Sequence, residues 1–169
     1  LYLESDFVAS GYRAVARHLA ENYGCNYQNV FYAMMATFAS RGRESVLPMA
    51  IARFLKGSIP LHELVEVYRE HWPTIRLLPG YSELLKKLGQ TYRLGIITDG
   101  LPEVQKRKVS ALKLDSVMDK VLYTWEYGPE MEKPHPLSFA LMTEYLNTAP
   151  ENALFIGDSP DKDCRGAHA

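Results

Sequence analysis

From Tyr81 to Asp163 the sequence alternates between segments of helical and of strand periodicity, with short connections between them. Tyr81 to Leu88 carries Leu84, Leu85 and Leu88 on one face and stops at Gly89, and Tyr92-Arg93-Leu94-Gly95-Ile96-Ile97-Thr98 is a strand running into Asp99-Gly100. Pro102 opens a helix through Val104, Val109 and Leu112. Val121-Leu122-Tyr123-Thr124 is the next strand, Pro136 to Leu146 the next helix, and Ala153-Leu154-Phe155-Ile156 a third strand that breaks into Gly157-Asp158-Ser159. Such alternation builds a parallel sheet through right-handed crossovers, so the expected class is α/β with a Rossmann-like parallel sheet. The polar ends of the three strands would then line one rim, where open parallel sheets bind ligands.

The preceding residues have a different character. From Asp6 to about Trp72 only helical periodicity is present. A first helix is expected from Asp6 to Tyr23, after Ser5 as N-cap and before Gly24 as stop, with Phe7, Val8, Tyr12, Val15, Ala16 and Leu19 on its apolar side. Others follow at Gln28 to Ala39 and Val46 to Leu55, and beyond Gly57-Ser58-Ile59-Pro60 at Leu61 to His71. Two domains are therefore expected, helical over residues 1–76 and α/β over 77–169. The methionines and aromatics of the helices are read as packing.

Nineteen basic and twenty acidic residues give a formal net charge of -1, so no global field draws the chain to nucleic acid or to an anionic membrane. No apolar run has transmembrane length, and the first residues carry no secretory pattern, which makes a cytoplasmic location the default. Cys25 and Cys164 form neither a CxxC pair nor a disulfide framework.

The rim supplies the chemistry. Asp158 and Asp163, five residues apart after an apolar run, repel each other unless a cation sits between them, and Mg²⁺ suits such oxygen donors; Gly-Asp-Ser is equally ordinary turn chemistry. Thr98 brings a hydroxyl to a strand end, and Gly100 opens the backbone N–H groups beside it to a ligand, although Asp99-Gly100 is also a common turn. Lys133, stiffened by Pro134 and Pro136, is a fixed positive charge suited to a phosphate oxygen or a carboxylate. His135 is a weaker candidate for acid–base work, a solvated or capping histidine being the alternative. Taken together, a hydroxyl, backbone donors, a lysine and two carboxylates on successive strand ends are what a phosphoryl group and its cation require.

Ile96-Ile97-Thr98-Asp99-Gly100, Glu132-Lys133-Pro134, and Ile156-Gly157-Asp158-Ser159 with Asp163 resemble, in order and spacing, the second, third and fourth motifs of the haloacid dehalogenase superfamily. The helical residues before them resemble that family's inserted α-helical cap, and Leu78-Pro79-Gly80 the turn back to its core. The resemblance implies an aspartyl-phosphate mechanism with Mg²⁺, serving a small phosphorylated metabolite. It places phosphate oxygens on Thr98 and the amides of Asp99 and Gly100, and implies that Lys133 steadies nucleophile and phosphoryl group. Asp158 would hold the metal directly, and Asp163 directly or through water. The acidic Gly-Asp-Ser motif points to the phosphatase branch.

The family's first motif, an Asp-x-Asp supplying nucleophile and general acid, is absent from the sequence, and Leu1-Tyr2 resembles the residues that follow it. The expectation is of a chain cut just after its nucleophile and ending early at Gly166-Ala167-His168-Ala169, whose two remaining central strands lack a partner and which would not fold stably alone. The nucleophile is then a carboxylate upstream of Leu1. Rival readings are a catalytically inactive phosphate-binding or interaction protein, and a phosphomutase or haloacid dehalogenase on the same scaffold. A further reading has Arg41 and Arg43 serve a protein partner. The protein is expected as a monomer or homodimer.

Overall fold

The computed structural model describes residues 1–56 and 58–168. Gly57 of the expected third connection and Ala169 lie outside them. The chain forms two compact units, one of residues Tyr2–Arg76 and one of Leu77–Ala169 with Leu1.

The first unit is helical: α1 (Glu4–Tyr23), α2 (Tyr27–Arg41), α3 (Val46–Leu55) and α4 (Leu61–Glu70). Helix α1 starts two residues earlier than expected and is not capped by Ser5, which lies inside it; Leu3 is its N-cap and makes no side-chain bond. Glu4 and Asp6 supply negative charge to that first turn, which the helix dipole favours without a capping hydroxyl. Gly24 ends α1 at φ 65°, a conformation glycine adopts without a Cβ penalty, and the Asn26 side chain caps α2 by accepting the Asn29 N–H. Val8, Tyr12, Val15 and Leu19 of α1 meet Val30 and Met34 of α2, Val46 and Ala50 of α3, and Leu64 of α4 in one core. Complete burial of a side chain such as Leu19 or Leu64 contributes about 1.5–3 kcal/mol.

In the second unit α5 (Tyr81–Leu88) precedes β1 (Gly95–Thr98), α6 (Pro102–Ala111) precedes β2 (Lys120–Tyr123), and α7 (Leu137–Tyr145) follows. Strands β1 and β2 pair in parallel, Gly95 opposite Lys120 and Thr98 opposite Tyr123. Ile97 and Leu122 pack with Met142 of α7, together with Phe139, Leu141, Leu146 and Phe155. Gly95 matters to that packing, because a Cβ there would overlap the Met142 sulfur. Strand β1 is shorter than the sequence implied, and β2 is shifted one residue toward the N-terminus. Tyr92 lies outside β1 and is exposed, and Thr124 leaves β2 to begin a 3-10 turn.

The third expected strand differs most. Residues 153–156 pair with no strand among the described residues, whose sheet is β1 and β2 alone. The segment keeps the alternation of a strand, with Phe155 turned into the core while Leu154 and Ile156 are 85% and 83% exposed. A strand needs a neighbour for its N–H and C=O groups as well as an apolar pattern, and no neighbour reaches this one.

Candidate active site

The polar ends of β1, β2 and the 153–156 segment converge. Thr98 closes β1, and its hydroxyl donates to Gln105 Oε1 of α6 at 3.0 Å. Gly100, at φ 102°, turns the chain into α6. One step back, Asp99 Oδ1 accepts the Thr124 hydroxyl at 3.0 Å and the Lys133 backbone N–H at 3.2 Å. Thr124 is fully buried, and its hydroxyl also lies 3.4 Å from the Thr98 carbonyl, so the end of β2 holds the end of β1.

Lys133 is fixed at both ends. Asp99 takes its backbone N–H, and its Nζ donates to Asp163 Oδ1 at 2.8 Å, the two side chains being 14% and 5% exposed. The other Asp163 oxygen accepts the N–H groups of Asp158 (3.1 Å) and Ser159 (3.0 Å). Burial alone would raise the Asp163 carboxyl, yet the Lys133 bond and charge with the two amides hold it below the usual carboxylate value. The loop closes on itself through Asp163 N–H to the Ser159 carbonyl at 2.7 Å. Gly157 is required here, since a Cβ would occupy the space of the Asp163 carboxylate.

Of the residues singled out in the sequence, Lys133, Asp163 and Asp99 are thus directly linked, and Thr98 is linked to them through Thr124. Asp158 lies on the same loop with its side chain exposed. Asp163 is turned to the lysine, and the described residues include no group of three or more His, Cys, Asp and Glu placed around one point. His135 accepts the Leu137 N–H at 3.2 Å on Nδ1 and so caps the start of α7. Arg43, the proposed partner contact, pairs with Glu4 at 3.1 Å.

Three residues of the network were not picked out as site residues. Gln105 holds Thr98, Thr124 holds Asp99, and Glu132 accepts Trp125 Nε1–H (2.6 Å) while lying 3.4 Å from Lys162 Nζ. Thr124 carried a signal, a hydroxyl at the end of an apolar strand as in Thr98. Glu132 stood in the Glu132-Lys133-Pro134 motif without a role of its own, and Gln105 carried no signal, because a polar side chain beside a loop looks the same whether or not it meets a partner.

Parallel strands with their polar ends gathered around a doubly anchored lysine define an α/β protein of Rossmann-like architecture. The family model of haloacid dehalogenase-like hydrolases matches residues 13–169, and the chain belongs to that family. It is 31% identical to a glyceraldehyde 3-phosphate phosphatase of Pyrococcus abyssi, over 88% of this chain and 57% of that protein. It is 30% identical to a phosphoserine phosphatase of Thermus thermophilus, over 91% of this chain and 61% of that one. A glyceraldehyde 3-phosphate phosphatase of Methanopyrus kandleri is 25% identical over 98% of this chain and 65% of its own length. The chain therefore spans less than two thirds of these relatives. In fold it is similar to the HAD-hydrolase YfnB of Bacillus subtilis bound to magnesium (TM-score 0.61, 22% identity, 96% of this chain and 77% of that one). A HAD phosphatase of Thermococcus onnurineus is similar too (TM-score 0.57, 22% identity, 99% and 77%). Among the described residues no helix is long and apolar enough to cross a membrane.

Proposed function

We propose that the protein carrying these residues is a Mg²⁺-dependent phosphatase that hydrolyses a small phosphorylated metabolite, a phosphate monoester, through an aspartyl-phosphate. The observation that carries this reading is the double anchoring of Lys133, by Asp99 at its backbone and by Asp163 at its ammonium. A cation fixed in this way is prepaid positive charge for a transferring phosphoryl group and costs no reorganisation during the reaction. The phosphatase names of the relatives agree with it.

In this reading the Thr98 hydroxyl exchanges Gln105 for a phosphate oxygen, and the Asp99 and Gly100 N–H groups donate to others. Lys133 neutralises the phosphoryl group and steadies the nucleophile. Asp163 acts by holding Lys133 and the 157–159 loop. The resemblance to the family assigns the nucleophile to a carboxylate upstream of Leu1, and division of hydrolysis into two displacements lowers its barrier.

The donor set suits Mg²⁺, which takes one or two carboxylates and fills its shell with water and phosphate oxygens; the exposed Asp158 would hold it. When bound it supplies Lewis-acid stabilisation of the phosphoryl oxygens. The helical residues 1–76 are assigned as the cap that selects the metabolite, and residues 77–169 as the α/β core.

The test is phosphate release by the full-length protein from a panel of small phosphate monoesters, with and without Mg²⁺, beside Lys133→Met. Release that needs Mg²⁺ and falls by about three orders of magnitude in the variant is expected for a lost electrostatic catalyst. No release from any monoester, with inorganic phosphate still bound, would transfer the protein to the non-catalytic reading.

A further inference from the structure

Gln105 is the fourth residue of α6, yet its side chain reaches back to the turn that leaves β1. Its Oε1 accepts the Thr98 hydroxyl proton at 3.0 Å, and its Nε2 lies where a Cβ at Gly100 would come within 3.2 Å of it. One carboxamide therefore spans both ends of the Thr98-Asp99-Gly100 turn. The strand does not need this contact to close. Thr98 stands opposite Tyr123 in the sheet, and its carbonyl lies 3.4 Å from the Thr124 hydroxyl. What Gln105 decides is the direction of the Thr98 O–H bond.

That direction matters to any ligand of the turn. While Oε1 holds the proton, the hydroxyl has none to give to a phosphate oxygen. Once the proton turns to a phosphate, Oε1 and the Thr98 oxygen are left facing each other with nothing between them, and two acceptors at hydrogen-bond distance repel. A glutamine resolves the conflict, because the same group carries an acceptor oxygen and an NH₂ donor. Half a turn of the carboxamide exchanges them, and Nε2 then donates into the Thr98 oxygen. Among the described residues Nε2 has no acceptor to give up in that rotation. The resulting chain, from N–H to O–H to phosphate oxygen, is one in which each bond polarises the next.

We propose that Gln105 is a positioning residue of the phosphate site: with the site empty its carbonyl oxygen takes the Thr98 proton, and with a phosphate group bound its NH₂ donates to the Thr98 oxygen and aims that proton at a phosphate oxygen. The proposal rests on the reading of Thr98 as a phosphate ligand and adds the group that switches it. Gln105 acts on the ligand only through Thr98. The exchange requires a side chain that accepts and donates at one place. An ionised glutamate of the same length accepts only, so it would hold the proton on itself and away from the ligand.

The experiment is a titration of the full-length protein with inorganic phosphate, read in two ways. The first is the side-chain ¹⁵NH₂ resonance of Gln105. One of its protons is expected to move downfield saturably as it becomes a donor, and to stay in place in Thr98→Val. The second is calorimetry. Gln105→Glu is expected to weaken phosphate in both backgrounds through its charge, and about tenfold more in the parent than in Thr98→Val, since only a hydroxyl gives the carboxylate a proton to hold. A Gln105 resonance unmoved at saturating phosphate, a shift of equal size in Thr98→Val, or equal penalties in the two backgrounds would overturn the proposal. The resonance is read without a change at Gln105, so it decides the matter even where Gln105→Glu fails to fold. A parent that binds phosphate and hydrolyses a monoester while the resonance stays in place overturns this inference alone. A parent that neither binds inorganic phosphate nor releases it from any monoester removes the phosphatase reading and the positioning role together.

Discussion

The ammonium of Lys133 lies 2.8 Å from the Asp163 carboxylate, and neither side chain is more than 14% exposed. They lie thirty positions apart in sequence with the whole of α7 between them, so the pair fastens one loop of the rim to another.

Breaking that pair from one side leaves a buried charge alone. Asp163→Ala is expected to cost about 3 kcal/mol, more than Asp163→Asn, which can still accept from the two amides. Urea midpoints of the two variants check the order. The Asp163 carboxyl is held below its ordinary 3.8, so its contribution is fully present above that pH and is lost as pH falls through the depressed value. The acid limb of Tm against pH should therefore be shallower in Asp163→Asn than in the parent.

Gly157 owes its place to the same carboxylate. Gly157→Ala puts a methyl group where Asp163 now sits, and overpacking of this kind costs about 1–3 kcal/mol. The expected result is a lowered Tm together with loss of Lys133-dependent activity. A Gly157→Ala protein of parental stability and activity would show that the loop closes differently.

Thr124 is fully buried, and its hydroxyl serves Asp99. Thr124→Val preserves the shape and leaves Asp99 one donor short, at a cost of about 1–3 kcal/mol. Thr124→Ser keeps the hydroxyl and should recover most of that loss. Denaturant midpoints of the three proteins measure it.

Amide exchange separates the paired strands from the unpaired segment. The amide of Leu122, buried in β2 and paired with β1, should exchange slowly in the 169-residue chain, and those of Leu154 and Ile156 quickly. Slow exchange at Leu154 would show that another strand pairs with it.

Much of this was legible in advance because it depends on near neighbours in sequence. Val46 and Leu55 bound α3 as their periodicity indicated, Pro102 opens α6, and Gly24 ends α1 in a left-handed conformation. Propensity, capping and period are local quantities, and each was correctly expressed within a few residues. The N-cap failed at Ser5 because α1 begins two residues earlier than expected, where Glu4 and Asp6 supply the negative charge its first turn favours.

The sequence by itself determined the alternation of elements, the apolar faces of the helices and the polar residues at the strand ends. Tertiary structure alone decided which of those residues meet. It turned Asp163 toward Lys133 instead of Asp158 and gave Asp99 to Thr124. It also withheld a partner from residues 153–156, whose pattern is that of a strand. The physical reason is the same in each case. A pattern of apolar and polar residues fixes the direction of a side chain relative to its own element, whereas a hydrogen bond or a strand pairing requires a second group from a distant part of the chain to arrive within about 3 Å.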